Sequence, residues 1–148
     1  MFDINVLSKV TKEDCFICKN KIESESIIYE DDKFIAFLDA YAPTKGYTLI
    51  APKKHIEDIT DMKEADYLEM QKLLHNISLS IKKNLNPKRV CFLSTGGIVK
   101  HFHFHIIPMY KNNSFKNFAD EIIKKKSILV LSKKETQDLS NKIKENLK

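Results

Sequence analysis

The sequence predicts an α+β fold built on a mostly antiparallel sheet. Two observations carry this. Runs of strand composition fall into a group of three and a group of two, separated by one long segment of helical periodicity. The first two runs flank a polar turn in the manner of a hairpin. The chain has 148 residues, 43% of them hydrophobic and 30% charged. That is enough for one core with a solvated surface, so a single domain over 1–148 is expected.

The elements follow in order. Residues 24–39 read SESIIYEDDKFIAFLD, two β-rich runs about an EDD turn. Pro43 and Gly46 punctuate the next loop, and YTLIA (47–51) reads as a strand ended by Pro52. Asp61 with Glu64 resembles a capping box. Apolar side chains then recur at Tyr67, Met70, Leu74, Ile77, Ile81 and Leu85, at helical spacing, until Asn86-Pro87 stops the helix. VCFLS (90–94) returns to strand composition, Gly96-Gly97 bends the chain, and 99–107 reads as a second strand. Residues 111–126 are polar and Lys-rich and read as a loop with a short helix. Ser132 with Glu135 is a second capping box, and Leu139, Ile143 and Leu147 give the last helix a thin apolar stripe.

Several function classes recede on composition. No apolar run approaches the roughly 20 residues of a membrane span. The opening MFDINVLSKVTKEDC has an early Asp and no apolar h-region, so it does not read as a signal peptide, and cytoplasm is the expected location. The net charge of +5 suits an anionic ligand and equally an ordinary Lys-rich surface. The Lys run at 124–126 lacks interleaved aromatics, so direct nucleic-acid binding is not expected. Three cysteines argue against a disulfide framework. Cys91, alone in an apolar run, reads as a small buried hydrophobe.

The informative segment is His101-Phe102-His103-Phe104-His105-Ile106-Ile107-Pro108. In a strand, successive side chains point to opposite faces, so the three histidines line one face and Phe102, Phe104 and Ile106 face the core. Three of the five histidines of the protein stand in this row. Core histidines satisfied by hydrogen bonds would not need that register. His101 and His105 lie about 13 Å apart along such a strand, too far for one metal ion to take all three. The row must divide its labour. A neutral imidazole is a good nucleophile toward phosphorus, and a neighbouring histidine or the N–H groups of a Gly-rich bend can hold phosphate oxygens.

The run HFHFHII resembles the signature of the histidine triad (HIT) superfamily: His, apolar, His, apolar, His, apolar, apolar. Cys15-Phe16-Ile17-Cys18, the run from Tyr29 to Asp39, Pro43, Gly46 and Ala51-Pro52-Lys53-Lys54-His55-Ile56 resemble other segments of that family, in the right order. The likeness covers about residues 13 to 110, leaving a C-terminal loop and helix over 111–148. It implies a five-stranded, mostly antiparallel sheet with a long helix and a C-terminal helix, a homodimer, and nucleoside phosphate ligands. By this resemblance His103 is the nucleophile at the α-phosphate and His105 contacts the phosphate. Asp39 binds the ribose hydroxyls, and Gly97 and Val99 lie beside the nucleotide. Phe16, Ile17 and Leu38 fall where the family packs the base, and ordinary core packing is equally open for these three.

The match departs from the family before the triad. Gly97 stands where Gln is common, Ile98 where a Ser often supports the leaving group, and an Asn has no counterpart. Ser94 or Thr95 are the available polar substitutes. The resemblance also bears on Cys15 and Cys18. A thioredoxin-like pair would need a βαβ context that is missing here. A structural zinc needs four ligands, and bacterial HIT proteins similar to this chain complete Cys15 and Cys18 with residues matching His55 and His101. Two unligated thiols are the other reading. His75 has no motif around it. The expected activity is therefore hydrolysis or nucleotidyl transfer through a nucleotidyl-His103 intermediate, with structural zinc. The alternatives are a non-catalytic nucleotide-binding module and a zinc hydrolase with its metal on the triad, the last opposed by the distance argument.

Overall fold

The computed structural model describes residues 15–96, 99–112, 115–124 and 127–147. The expectations placed on the first 14 residues and on Gly97 and Ile98 lie outside these. Strands β1 (Ile27–Glu30) and β2 (Phe34–Leu38) form the predicted hairpin. Asp31 holds its turn: the carboxylate accepts from the amides of Lys33 at 2.8 Å and Phe34 at 2.6 Å, and from the Tyr29 hydroxyl at 2.6 Å. β3 (Thr48–Pro52), β4 (Arg89–Leu93) and β5 (Phe104–Met109) complete a sheet of order β1-β2-β3-β5-β4. Every neighbouring pair in it is antiparallel.

Helix α1 (Glu64–Leu85) buries Met70, Leu74, Ile77 and Ile81 against one face of the sheet, as the periodicity predicts. It ends at Asn86, whose left-handed φ of 51° an asparagine tolerates better than most residues. A short helix α2 (Phe115–Phe118) runs into a turn of π-helix, Ala119–Ile123. The final helix α3 (Lys133–Lys144) opens with the predicted capping box. The Ser132 hydroxyl accepts from the Glu135 amide at 3.3 Å, and the Glu135 carboxylate accepts from the Ser132 amide at 2.8 Å. Its Leu139 and Ile143 are buried beside α1.

Alternation along the strands splits the apolar residues between two layers. Phe34, Ala36 and Leu38 of β2, Ile50 of β3, and Phe104 and Ile106 of β5 join the helices in the larger cluster. Ile35, Phe37, Leu49, Ala51, Ile107 and Met109 face the other way, where Cys15, Ile17, Tyr47 and Ile122 cover them. Leu49 pairs directly with His105, so this second face is the histidine face.

Three expectations are corrected. β5 begins at Phe104 rather than 99, because neither neighbour accompanies the chain further: the β3 ladder ends at Ile50–Phe104 and the β4 ladder at Leu93–His105. The Phe102 amide instead donates to the Ile56 carbonyl at 2.6 Å. Asp61 and Glu64 form no capping box. Asp61 is held in a 3₁₀ turn (Ile59–Asp61) capped by Asp58, and Lys63 takes the N-cap position of α1 without a side-chain bond. Cys91 is partly rather than fully buried, since β4 is an edge strand. No helix among the described residues is long and apolar enough to cross a membrane.

Candidate active site and metal centre

His103 is buried just ahead of β5, and its Nδ1 lies 2.6 Å from the backbone carbonyl of His101. A carbonyl oxygen only accepts, so Nδ1 carries the hydrogen and the neutral ring keeps its lone pair on Nε2. The Ser94 hydroxyl donates to the His103 carbonyl at 2.8 Å, which fixes the backbone of the same residue from the β4 side. The His105 ring stacks obliquely against that of His103, with centroids 4.7 Å apart. Its Nδ1 lies 2.9 Å from the phenolic oxygen of Tyr47, a residue 3% exposed. Burial, and then the charge of Asp39, push the Tyr47 phenol well above its ordinary pKa, so it keeps its proton.

Asp39 follows β2 and is half-buried. Its amide donates to the Tyr47 carbonyl at 3.0 Å, and its Oδ1 accepts from the Tyr41 amide at 3.0 Å. Asp39, Tyr47, His105 and His103 thus form a continuous chain of contacts. Phe16 lies edge-on to Phe37, centroids 5.9 Å apart, and Ile17 is buried in the same layer. Leu38 is not brought to this site, since it packs on the helix side of the sheet. Phe37 occupies the histidine face instead. The period-2 pattern carries that signal: Phe37, two residues before Asp39, shares its side of the strand. Val99 is partly buried on the approach to the triad. Tyr47 is the other residue that sequence reasoning missed, having been read only as the start of a strand.

A second cluster stands at the His101 end. One ligand atom from each of Cys15, Cys18, His55 and His101 lies within 4.8 Å of all the others. The His101 Nε2 donates to the Pro52 carbonyl at 2.6 Å, which leaves the Nδ1 lone pair facing Cys15 Sγ at 3.3 Å and Cys18 Sγ at 3.5 Å. Burial is the main influence that lowers the His101 pKa, which favours the neutral form that a metal ligand requires. His55 turns its Nδ1 to Cys18 Sγ at 3.3 Å and its Nε2 to the Glu57 carboxylate at 3.4 Å. A histidine oriented by a carbonyl or carboxylate through its second nitrogen is the usual outer arrangement of a metal site. These four residues could hold a metal ion, and the set of two thiols and two imidazoles suits a closed zinc site.

The HIT domain family model matches residues 20–112. An HIT-like protein of Borreliella burgdorferi is 35% identical over 111 residues, covering 69% of this chain and 80% of the relative. A hypothetical histidine triad nucleotide-binding protein of Sulfolobus tokodaii superposes with a TM-score of 0.73 at 28% identity, covering 90% of this chain and 91% of that one. A Zn-bound histidine triad family protein of Mycobacterium smegmatis shares the fold, with a TM-score of 0.66 at 23% identity and 90% coverage of each chain. With triad, sheet order and Cys/His cluster all in place, the chain belongs to the HIT domain family.

Proposed function

We propose that this protein is a nucleotide hydrolase or nucleotidyl transferase that attacks an α-phosphate through Nε2 of His103. The observation that carries the reading is the His103 Nδ1 bond to the His101 carbonyl. It presents a lone pair on Nε2 and stabilises the cation that attack creates on the ring. The Nε2–P bond forms as the bond to the leaving group breaks, and the leaving group departs with the bonding pair and a proton from solvent. Water then supplies its oxygen to phosphorus and releases a proton, and Nε2 departs with the N–P pair. His105 holds the phosphate oxygens, Asp39 takes the ribose diol, and Phe16, Ile17 and Phe37 bound the base. Gly97 and Val99 belong to the same reading as nucleotide-binding residues. The substrate class is a nucleoside phosphoramidate, a nucleotidyl adduct or a dinucleoside polyphosphate. The similar Sulfolobus tokodaii protein is named a nucleotide-binding protein, which supports the ligand class.

Incubation with an α-labelled substrate, followed by quenching and peptide mapping, tests the step. The label is expected on His103, acid-labile and base-stable as a phosphoramidate is. His103→Ala is expected to lose several orders of magnitude in turnover and to keep nucleotide binding. Label elsewhere, or full activity in that variant, overturns the assignment. Tight nucleotide binding with no label and no turnover would favour a binding module, for which Gly97 in place of the usual Gln is the specific sequence support.

The reading includes a structural zinc on Cys15, Cys18, His55 and His101, which would tie the N-terminal segment and the His55 loop to the start of the triad. It also includes a cytoplasmic homodimer. The outer edge of β4, an edge strand of the sheet, is the surface we assign to the pairing. Sedimentation equilibrium is expected to give twice the 17.2 kDa chain mass, and a monomer at micromolar concentration would refute this pairing.

A further inference from the structure

Tyr47 belongs to the second apolar layer and its hydroxyl touches His105 of the triad, and the sequence motifs leave it without a role. We propose that Tyr47 is a positioning residue: its phenolic O–H donates to Nδ1 of His105 and so holds the ring hydrogen on Nε2, on the side of the ring where the phosphate binds. The inference rests on the nucleotidyl-transfer reading for its function, though not for its geometry.

The argument begins with the loop before β3. Gly46 has φ of +82°, a conformation that side-chain-bearing residues rarely adopt, and a Cβ there would stand 2.5 Å from Leu85 Cδ1. This left-handed turn, with the Tyr47 amide bonded to the Thr44 carbonyl at 3.3 Å, directs Tyr47 inward beneath β5. The phenol is 3% exposed, so its hydroxyl must find its partners inside the protein. The ring stands nearly perpendicular to that of His105, at 80° with centroids 5.7 Å apart, which fixes the imidazole plane as well as its edge.

The hydrogen-bond chemistry then separates two states. An imidazole with its hydrogen on Nδ1 presents an acceptor lone pair from Nε2 and repels a phosphate oxygen. With its hydrogen on Nε2 it presents a donor. A phenol that keeps its proton throughout the physiological range is a standing donor to Nδ1 and selects the second form. His103 lies beside the ring, and the charge of Asp39 acts on the phenol. Leu49 and Leu93, the residues paired with His105 from β3 and β4, are apolar. His103 and His105 thereby carry opposite tautomers, the first by donating Nδ1–H to a carbonyl and the second by accepting at Nδ1 from a phenol. One Nε2 is a nucleophile and the other a donor, at adjacent places on one face.

The test is imidazole ¹⁵N NMR on the nucleotide-free protein, at a pH where neutral histidine dominates. His105 is expected as the Nε2–H tautomer in the wild type, with the Nδ1–H form appearing in Tyr47→Phe. A wild-type His105 with its hydrogen on Nδ1 overturns the proposal, as does a spectrum unchanged by Tyr47→Phe. Kinetics supply the second arm. Tyr47→Phe is expected to lower kcat by roughly ten-fold or more and to leave KM nearly unchanged. The same change made on a His105→Ala background is expected to cost nothing further, because Tyr47 acts through that ring. An equal loss in both backgrounds would make Tyr47 a packing residue only and overturn the proposal. The wild-type tautomer needs no variant and no turnover. Its outcome is therefore distinct from failure of the transfer reading, which appears as unlabelled His103.

Discussion

Asp39 already has one oxygen engaged by the Tyr41 amide, and a carboxylate has capacity for several further donors. A vicinal diol supplies two. Charge-assisted bonds of this kind are worth about 1.5–3 kcal/mol, roughly ten- to a hundred-fold in affinity. Wild type is therefore expected to bind ribonucleoside monophosphates more tightly than their 2′-deoxy analogues by that factor, and Asp39→Ala to lose the difference. Calorimetric titration of both ligands on both proteins checks this, and a mutant that discriminates as well as wild type reduces Asp39 to a turn residue. At this scale the sequence is read most directly. A period of two is enough to gather His101, His103 and His105 on one side, and the same rule assigns Phe37 rather than Leu38 to that side. Nothing in the pattern of residues reveals which ring nitrogen carries a hydrogen. That depends on the Pro52 and His101 carbonyls and the Tyr47 phenol, which arrive from other parts of the chain or from a backbone turn.

At the scale of elements, the β1–β2 hairpin depends on the ionised Asp31. Burial works against its charge. The Tyr29 hydroxyl, the Phe34 and Lys33 amides and the charge of Lys53 outweigh it, so the pKa falls below the ordinary value. A folded-state pKa below the unfolded one means stability that is fully present above the unfolded value, near about 4, and lost as pH falls through the folded value. Asp31→Asn is therefore expected to be less stable than wild type at pH 7, with the gap closing below about pH 4. Chemical denaturation at a series of pH values measures it, and a gap independent of pH would assign the hairpin to packing alone. The two capping-box candidates make a related point. Ser132 and Glu135 satisfy each other because their segment is free to take the N-cap conformation, whereas Asp61 is already held by the turn that Asp58 caps. The same local pattern gives opposite outcomes under different tertiary constraint.

Across the whole molecule, His101 joins the two centres. Its Nδ1 faces the thiols, its Nε2 is bound to β3 through Pro52, and its carbonyl holds the ring of His103. Metal bound there would stabilise the folded state only, since residues 15 and 101 are brought together by folding. Chelation of purified protein, or Cys15→Ser, is expected to lower Tm by several degrees, at roughly 3 °C per kcal/mol for a chain of this size. Metal content by mass spectrometry is expected near one zinc per chain. Identical unfolding temperatures with and without added zinc would sink the zinc reading.

The sequence by itself determined the class of the fold, the order of its strands and helices, the one-faced histidine row and the four residues of the Cys/His cluster. The fold class, the element order and the histidine row follow from short-range periodicity, and the completion of Cys15 and Cys18 by His55 and His101 is what the resemblance to HIT proteins implies. Only the tertiary structure decided where β5 begins and that Tyr47 meets His105. The reason is physical: strand ends are set by which neighbours remain alongside, and a tautomer is set by the hydrogen-bond partner across the fold. Both depend on groups distant in the chain, such as Ile56 at the Phe102 amide, and a local pattern carries no record of them.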